Sequence, residues 1–164
     1  MKQAGGCACG RVRYVIDGTP VFTHACHCVD CQRTTGSAFL INIFVAKRDL
    51  QVVGETKANT LPTGSGSGRD LYFCPDCGTC LWTRYHKVPE GIVLVRGGTL
   101  DDTGSVKPQA HLFTKSKQPW VRLPDDVPVF AEGYDRSEVW APDSLKKLRE
   151  ATSGTGTALV LARP

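Results

Sequence analysis

Eight cysteines fall into three clusters: Cys7 and Cys9, then Cys26, Cys28 and Cys31, then Cys74, Cys77 and Cys80. Their separations are C-x-C and C-x2-C, short enough for neighbouring sulfurs to meet on one ion. An even number of cysteines also suits a disulfide framework. The opening residues MKQAGGCACG, however, lack the apolar core of an export signal, which sets the expectation of a cytoplasmic protein whose thiols stay reduced. Metal ligation is therefore the expected chemistry.

The stretch FCPDCGTCLW, residues 73–82, reads as a zinc knuckle. Cys74 and Cys77 supply two ligands, and Gly78 lets the chain turn back without a Cβ clash. A closed site needs two more sulfurs. Cys7 and Cys9 are natural partners, because one intervening residue in an extended chain puts both side chains on one face. Such a structural zinc contributes on the order of 10 kcal/mol of folding energy in small peptides.

The stretch CHCVDCQRTTGSAF, residues 26–39, is different. Cys28-Val29-Asp30-Cys31 resembles a second knuckle, with Cys26 one residue before it. Three sulfurs leave several readings open. Cys80 could complete a second closed zinc site, or simply be a small buried residue of an outgoing strand. Cys74, Cys77 and Cys80 could instead begin an iron–sulfur motif, although no fourth cysteine follows. A zinc with only three protein ligands would keep an exchangeable position. With three thiolates it carries a net negative charge, so it suits thiol activation better than carbonyl polarisation. Arg33 then becomes a candidate to receive a substrate carboxylate bidentately. Gln32 and Ser37 could donate hydrogen bonds nearby. His27 is expected to point outward from the loop, and His24 and His111 to be paired within the core. Asp125 and Asp126 read as a turn, and Trp82 and Trp120 as core or cleft wall.

The elements that must position these residues read as β. RVRYVI (11–16) alternates, with Val12, Tyr14 and Ile16 on one face. AFLINIFVAK (38–47) and GIVLVRGG (91–98) are apolar enough for strands buried on both sides, and PVFTHA (20–25), LQVVG (50–54), AHLFT (110–114) and QPWVRL (118–123) are further candidates. LYFC (71–74) and CLWTRY (80–85) make the knuckle a hairpin end, preceded by a flexible tip, TGSGSGRD (63–70). PDSLKKLREAT (142–152) predicts one helix, with Asp143 or Ser144 as N-cap, Leu145 and Leu148 inward and Gly154 as stop. The tail SGTGTALVLARP reads as an added strand or a mobile end. The 164 residues, 41% hydrophobic and 22% charged, fit a single domain over 1–164. No apolar run is long enough for a membrane helix. The formal charge of +4 would fall to about +1 with seven thiolates and two zinc dications. The basic residues are scattered, so no nucleic-acid partner is expected.

Four segments together, GGCACGRVRY, CHCVDCQRTTGSAF, FCPDCGTCLW and AHLFTKSKQPWVRLPDDVPVFAEG, resemble the glutathione-dependent formaldehyde-activating enzyme family, related to centromere protein V. The likeness runs from about residue 4 to residue 133 and keeps the order of all three cysteine clusters. It implies a mainly β fold of coiled antiparallel sheets of the Mss-four-like type with zinc knuckles. It implies Zn2+ at two sites: a structural ion on Cys7, Cys9, Cys74 and Cys77, and a second, more labile one on Cys26, Cys28 and Cys31. Cys80 falls at a variable position of the family. The implied activity is that of a carbon–sulfur lyase or synthase joining glutathione and formaldehyde into S-hydroxymethylglutathione. The implied partners are a small thiol and an aldehyde; Cys26, Cys28 and Cys31, with Arg33 from the residue reading above, form the expected catalytic set. A non-catalytic thiol- or partner-binding module is the alternative. Nothing is carried onto residues from Tyr134 onward.

Overall fold

The computed structural model describes residues 2–153. Three short strands, β1 (Lys2–Gly6), β2 (Arg13–Asp17) and β5 (Leu50–Val53), form one sheet in the order β1-β2-β5. The second sheet runs β10-β3-β4-β9-β8-β7-β6. Its strands are β3 (Phe22–Cys26), β4 (Leu40–Ala46), β6 (Lys57–Leu61), β7 (Arg69–Phe73), β8 (Cys80–Tyr85), β9 (Ile92–Arg96) and β10 (His111–Leu112). The pairing is antiparallel except for β10, which lies parallel to β3. Helix α1 (Val29–Thr35) follows β3, and α2 (Arg136–Val139) and α3 (Pro142–Thr152) close the described chain. Among the described residues, no helix is long and apolar enough to cross a membrane.

The mainly β architecture agrees with the sequence pattern. Val12, Tyr14 and Ile16 are all buried, as their alternation requires. β4 and β9 sit at the centre of the large sheet and bury both faces. Ile43 faces Val95 and Val45 faces Val93, and these four join Tyr14, Ile16 and Leu50 in one core. Phe44 faces Leu94 and Ala46 faces Ile92, and these four join Val21, Phe22 and Trp140 in a second core. The central strands thus carry hydrophobic contacts to the small sheet on one side and to the C-terminal helices on the other.

Several expectations change. β1 and β6 are strands that the sequence pattern did not mark, being largely exposed and short of β-branched residues. QPWVRL forms no strand, and Trp120 is 72% exposed rather than core or cleft wall. Trp82 is buried and stacks on Tyr72 at 5.6 Å. The Gly/Ser tip connects β6 to β7, with Gly66 and Gly68 at positive φ. α3 spans the expected residues, but Ala141 is its N-cap and Pro142 its first residue. Leu145 and Leu148 pack against the second core. The expected stop at Gly154 and the strand or mobile end of the tail lie outside the described residues.

Ile43, fully buried at the centre of β4, tests this two-sided core. Ile43→Ala is expected to lower unfolding free energy by about 2–5 kcal/mol in urea titrations. Val53→Ala, at a position 41% exposed on β5, should change it by no more than about 0.5 kcal/mol.

Candidate metal centres and cavity

The first sulfur group sits where two turns meet. Cys7 and Cys9 lie between β1 and β2, and Cys74 and Cys77 between β7 and β8. The first turn is closed by bonds from Cys7 N to Val12 O (2.9 Å) and from Gly10 N to Cys7 O (3.0 Å). The second is closed from Gly78 N to Cys74 O and from Cys74 N to Thr79 O, both at 3.0 Å. Gly78 has φ 71°, the left-handed conformation that the knuckle reading required. Thr79 links the turns: its hydroxyl accepts from Ala8 N at 3.1 Å and lies 3.2 Å from Cys77 Sγ. That hydroxyl, with the Thr79 backbone N–H, pulls the Cys77 thiol down to about 5.

All four sulfurs fall within 4.8 Å of one another, with Cys7–Cys9 at 3.5 Å and Cys9–Cys74 at 3.8 Å. A tetrahedron with zinc–sulfur bonds of about 2.3 Å has edges of about 3.8 Å, so these residues fit such an ion. Val12 N donates to Cys7 Sγ at 3.2 Å, as expected of a sulfur that carries negative charge.

The second group gathers Cys26, Cys28 and Cys31, again within 4.8 Å. Its local structure is not a knuckle. Cys28 is the N-cap of α1, and its sulfur accepts from Cys31 N at 3.3 Å. Gly36, at φ 65°, ends that helix. The Cys28 thiol is pushed down to about 2 by hydrogen bonds from Cys26 and Cys31 and by the N–H groups of Cys31 and Asp30. Cys26 is pushed up, through its bonds to Cys28 and Cys31 and then by burial. Three close, soft donors, one favoured as thiolate, again suit zinc. Cys80 begins β8 with its sulfur 3.9 Å from Trp82 O, and belongs to neither group. The readings that made it a ligand find no support in this placement.

A cavity of about 520 Å³ is lined by Cys26, Cys28 and Cys31. Phe44, Leu94, Leu112, Phe113 and Trp140 give it apolar walls, and Arg69, Lys87 and Arg136 supply cations. Arg69 is only 3% exposed. Its Nη1 donates to Tyr85 Oη at 3.2 Å, and its Nε has no partner. Among the described residues, no carboxylate lies within ion-pair distance of it. Arg33 sits elsewhere, exposed on α1 and outside the cavity lining. Gln32 spends its amide on the carbonyls of His27 and Ser116, both at 2.8 Å, and Ser37 is exposed. Asp125 and Asp126 lie in an exposed bend.

His27 does not point outward. It is fully buried, its Nε2 lies 2.9 Å from His111 Nδ1, and burial followed by His111 pushes it down to about 4. The parallel docking of β10 against β3 puts His111 there, a contact between residues 84 apart that no local pattern announces. His24 is paired, as expected, with Asn42 and Tyr134, and burial pushes it down to about 3. Sequence reasoning missed Arg69, Arg136 and Tyr134. Arg69 follows a glycine tip and resembles a solvated strand end; only its register, in phase with buried Leu71, points it inward.

Residues 2–116 match the family described as glutathione-dependent formaldehyde-activating enzyme. The chain belongs to that family. All eight cysteines fall within the matched residues, whereas Tyr134, Arg136 and Trp140 lie beyond them. A Penicillium rubens protein provisionally named as a glutathione-dependent formaldehyde-activating enzyme is 30% identical over 112 residues, 67% of this chain. The chain spans 58% of that relative's length. A crystal structure of a Rhodobacter sphaeroides protein is similar at 21% identity and TM-score 0.47, over 79% of this chain and 99% of the other.

The two cysteine groups differ in the number of sulfurs they offer, and metal analysis should separate them. Purified protein is expected to carry two zinc ions per chain, one of which a mild chelator removes. Cys77→Ser should lower the retained zinc, and Cys31→Ser only the labile zinc.

Proposed function

We propose that this protein makes or breaks the carbon–sulfur bond of an adduct between a small thiol, glutathione or a close analogue, and an aldehyde, as in S-hydroxymethylglutathione. Family membership supports a glutathione-dependent role in formaldehyde activation. The observation that carries the finer reading is one cavity lined both by Cys26, Cys28 and Cys31 and by the buried Arg69, which has no carboxylate within ion-pair distance although Asp30 lines the same cavity. Cys31 and Asp30 act on the Arg69 charge from a distance, but no carboxylate pairs with it directly, and a buried guanidinium without a paired carboxylate is costly. A ligand carboxylate would relieve that cost.

Cys26, Cys28 and Cys31 would hold zinc, which when bound supplies a soft Lewis acid that favours the deprotonated, nucleophilic form of a thiol. The protein's own groups do the rest. Arg69, Arg136 and Lys87 bind the carboxylates of the thiol compound and so place its sulfur beside the cysteines. The sequence offers Arg33 for this duty; from its exposed place on α1 it serves better as an outer guide than as a clamp. Phe44, Leu94, Leu112 and Trp140 exclude water, which strengthens every charge interaction in the cavity. Cys7, Cys9, Cys74 and Cys77 hold the scaffold and take no part in the chemistry.

NMR with labelled formaldehyde and glutathione should show exchange faster than the uncatalysed buffer reaction. Cys28→Ser should abolish that acceleration in a soluble, folded protein, whereas Cys74→Ser should yield insoluble protein. Arg136→Gln is expected to raise KM for the thiol about 10- to 100-fold, the value of one charge-assisted hydrogen bond, with Arg33→Gln changing it less than threefold. Glutathione binding in calorimetry without acceleration would instead assign a thiol-binding module.

A further inference from the structure

Tyr134 lies beyond the family-matched residues, yet, like Cys28 and Phe113, it packs against the cluster of Cys26, Cys31, Leu40 and Leu112 and lines the cavity. Its hydroxyl ends a chain of hydrogen bonds whose directions follow from donor inventory alone. Arg96, buried beneath the cavity, donates from Nη1 to Asn42 Oδ1 at 2.7 Å and from Nη2 to Thr83 Oγ1. A guanidinium only donates, so it fixes which end of the Asn42 amide is oxygen. Asn42 Nδ2 therefore donates to His24 Nε2, at 3.3 Å. Nε2 is then an acceptor, and the ring proton resides on Nδ1. That N–H donates to Tyr134 Oη at 2.9 Å. Trp140 Nε1–H, also a donor only, reaches the same oxygen at 3.2 Å.

A hydroxyl oxygen has two acceptor positions, and both are taken. The Tyr134 proton cannot bond to either neighbour, because each already donates. Among the described residues, no third partner accepts it. We propose that Tyr134 is a preset hydrogen-bond donor for the substrate oxygen in the cavity, and that Arg96, Asn42, His24 and Trp140 are positioning residues that hold it in that role. The inference rests on the thiol–aldehyde reading above. When the carbon–sulfur bond forms, a sulfur lone pair attacks the carbonyl carbon and the carbonyl π pair moves to oxygen. The proton lost by the thiol ends on that oxygen, so no oxidant or reductant is needed. Tyr134 stabilises the oxygen while its charge develops, in a cavity whose walls exclude water.

Two measurements on the full, metal-loaded chain test this. Long-range proton–nitrogen NMR should show His24 as the neutral tautomer protonated at Nδ1; protonation at Nε2 alone would overturn the proposal. Tyr134→Phe should lower kcat about 100-fold, as loss of one oxyanion donor does, with KM for the thiol nearly unchanged. Because that variant strands two buried donors, Asn42→Asp supplies a second arm. Its carboxylate accepts from both Arg96 and His24 Nε2–H, so His24 Nδ1 takes the Tyr134 proton and removes it from the cavity. An inverted tautomer with kcat also reduced about 100-fold supports the donor; an inverted tautomer with unchanged kcat overturns it. If the unaltered protein shows no thiol–aldehyde activity, the reaction assignment fails. The direction of the donor is then still decided by the His24 tautomer.

Discussion

Sulfur atoms crowded within 4.8 Å at two places govern the plan of this chain. The first crowding joins turns 65 residues apart, and each turn belongs to a different sheet. Cys7 and Cys74 are also members of the core between those sheets. Four thiols meeting at van der Waals distance gain little by themselves, whereas four thiolates on one cation contribute folding energy outright. An ion at this corner would tie β1 and β2 to the large sheet. β3 is paired to β4 near the centre of that sheet, so the end of β3 that bears Cys26 is anchored to the sheet's interior.

The second crowding is electrostatically different. Its three sulfurs come from one short segment, so they contribute little to chain topology. What surrounds them is chemically specific: the N-terminus of α1 beneath Cys28, and the buried guanidiniums of Arg69 and Arg96, whose charges interact with that of Cys31. Buried charge is tolerated where it is compensated. A cysteine group with net negative charge and two buried cations offset one another, and the apolar cavity beside them keeps those charges strong. The family-matched residues supply this electrostatic floor, and the C-terminal segment supplies a wall through Tyr134, Arg136 and Trp140.

What the sequence disclosed follows from which interactions are local. C-x-C and C-x2-C spacing brings neighbouring sulfurs together, so the trio Cys26, Cys28 and Cys31 and the pairs Cys7/Cys9 and Cys74/Cys77 were legible, while the meeting of those two pairs across 65 residues followed from a closed site's need for four sulfurs. The alternation of Val12, Tyr14 and Ile16 and the apolar run through Ile43 to Ala46 likewise carried their burial in their pattern. The segment Cys28 to Cys31 was legible as a sulfur group but not as a helix. C-x2-C suits a knuckle and a helical first turn equally, and seven residues are too few for a periodic signal. His27 and Tyr134 were not legible, because their partners, His111 on β10 and His24 on β3, lie 84 and 110 residues away; Arg69 was not, because a charged residue after a glycine tip reads as solvated although it pairs with Tyr85 on the next strand. Arg33 was drawn to the site by sequence proximity to Cys31, but helix geometry turns it outward to an exposed face.

The central claim is an inequality between two ions, one enclosed by four sulfurs and one held by three. X-ray absorption at the zinc edge measures it directly, because it counts sulfur neighbours at about 2.3 Å. The account requires an average between three and four sulfurs per zinc, with the remainder a lighter atom, and a rise to four when glutathione is added. A shell of four sulfurs per zinc from the outset, unchanged by glutathione, would contradict it.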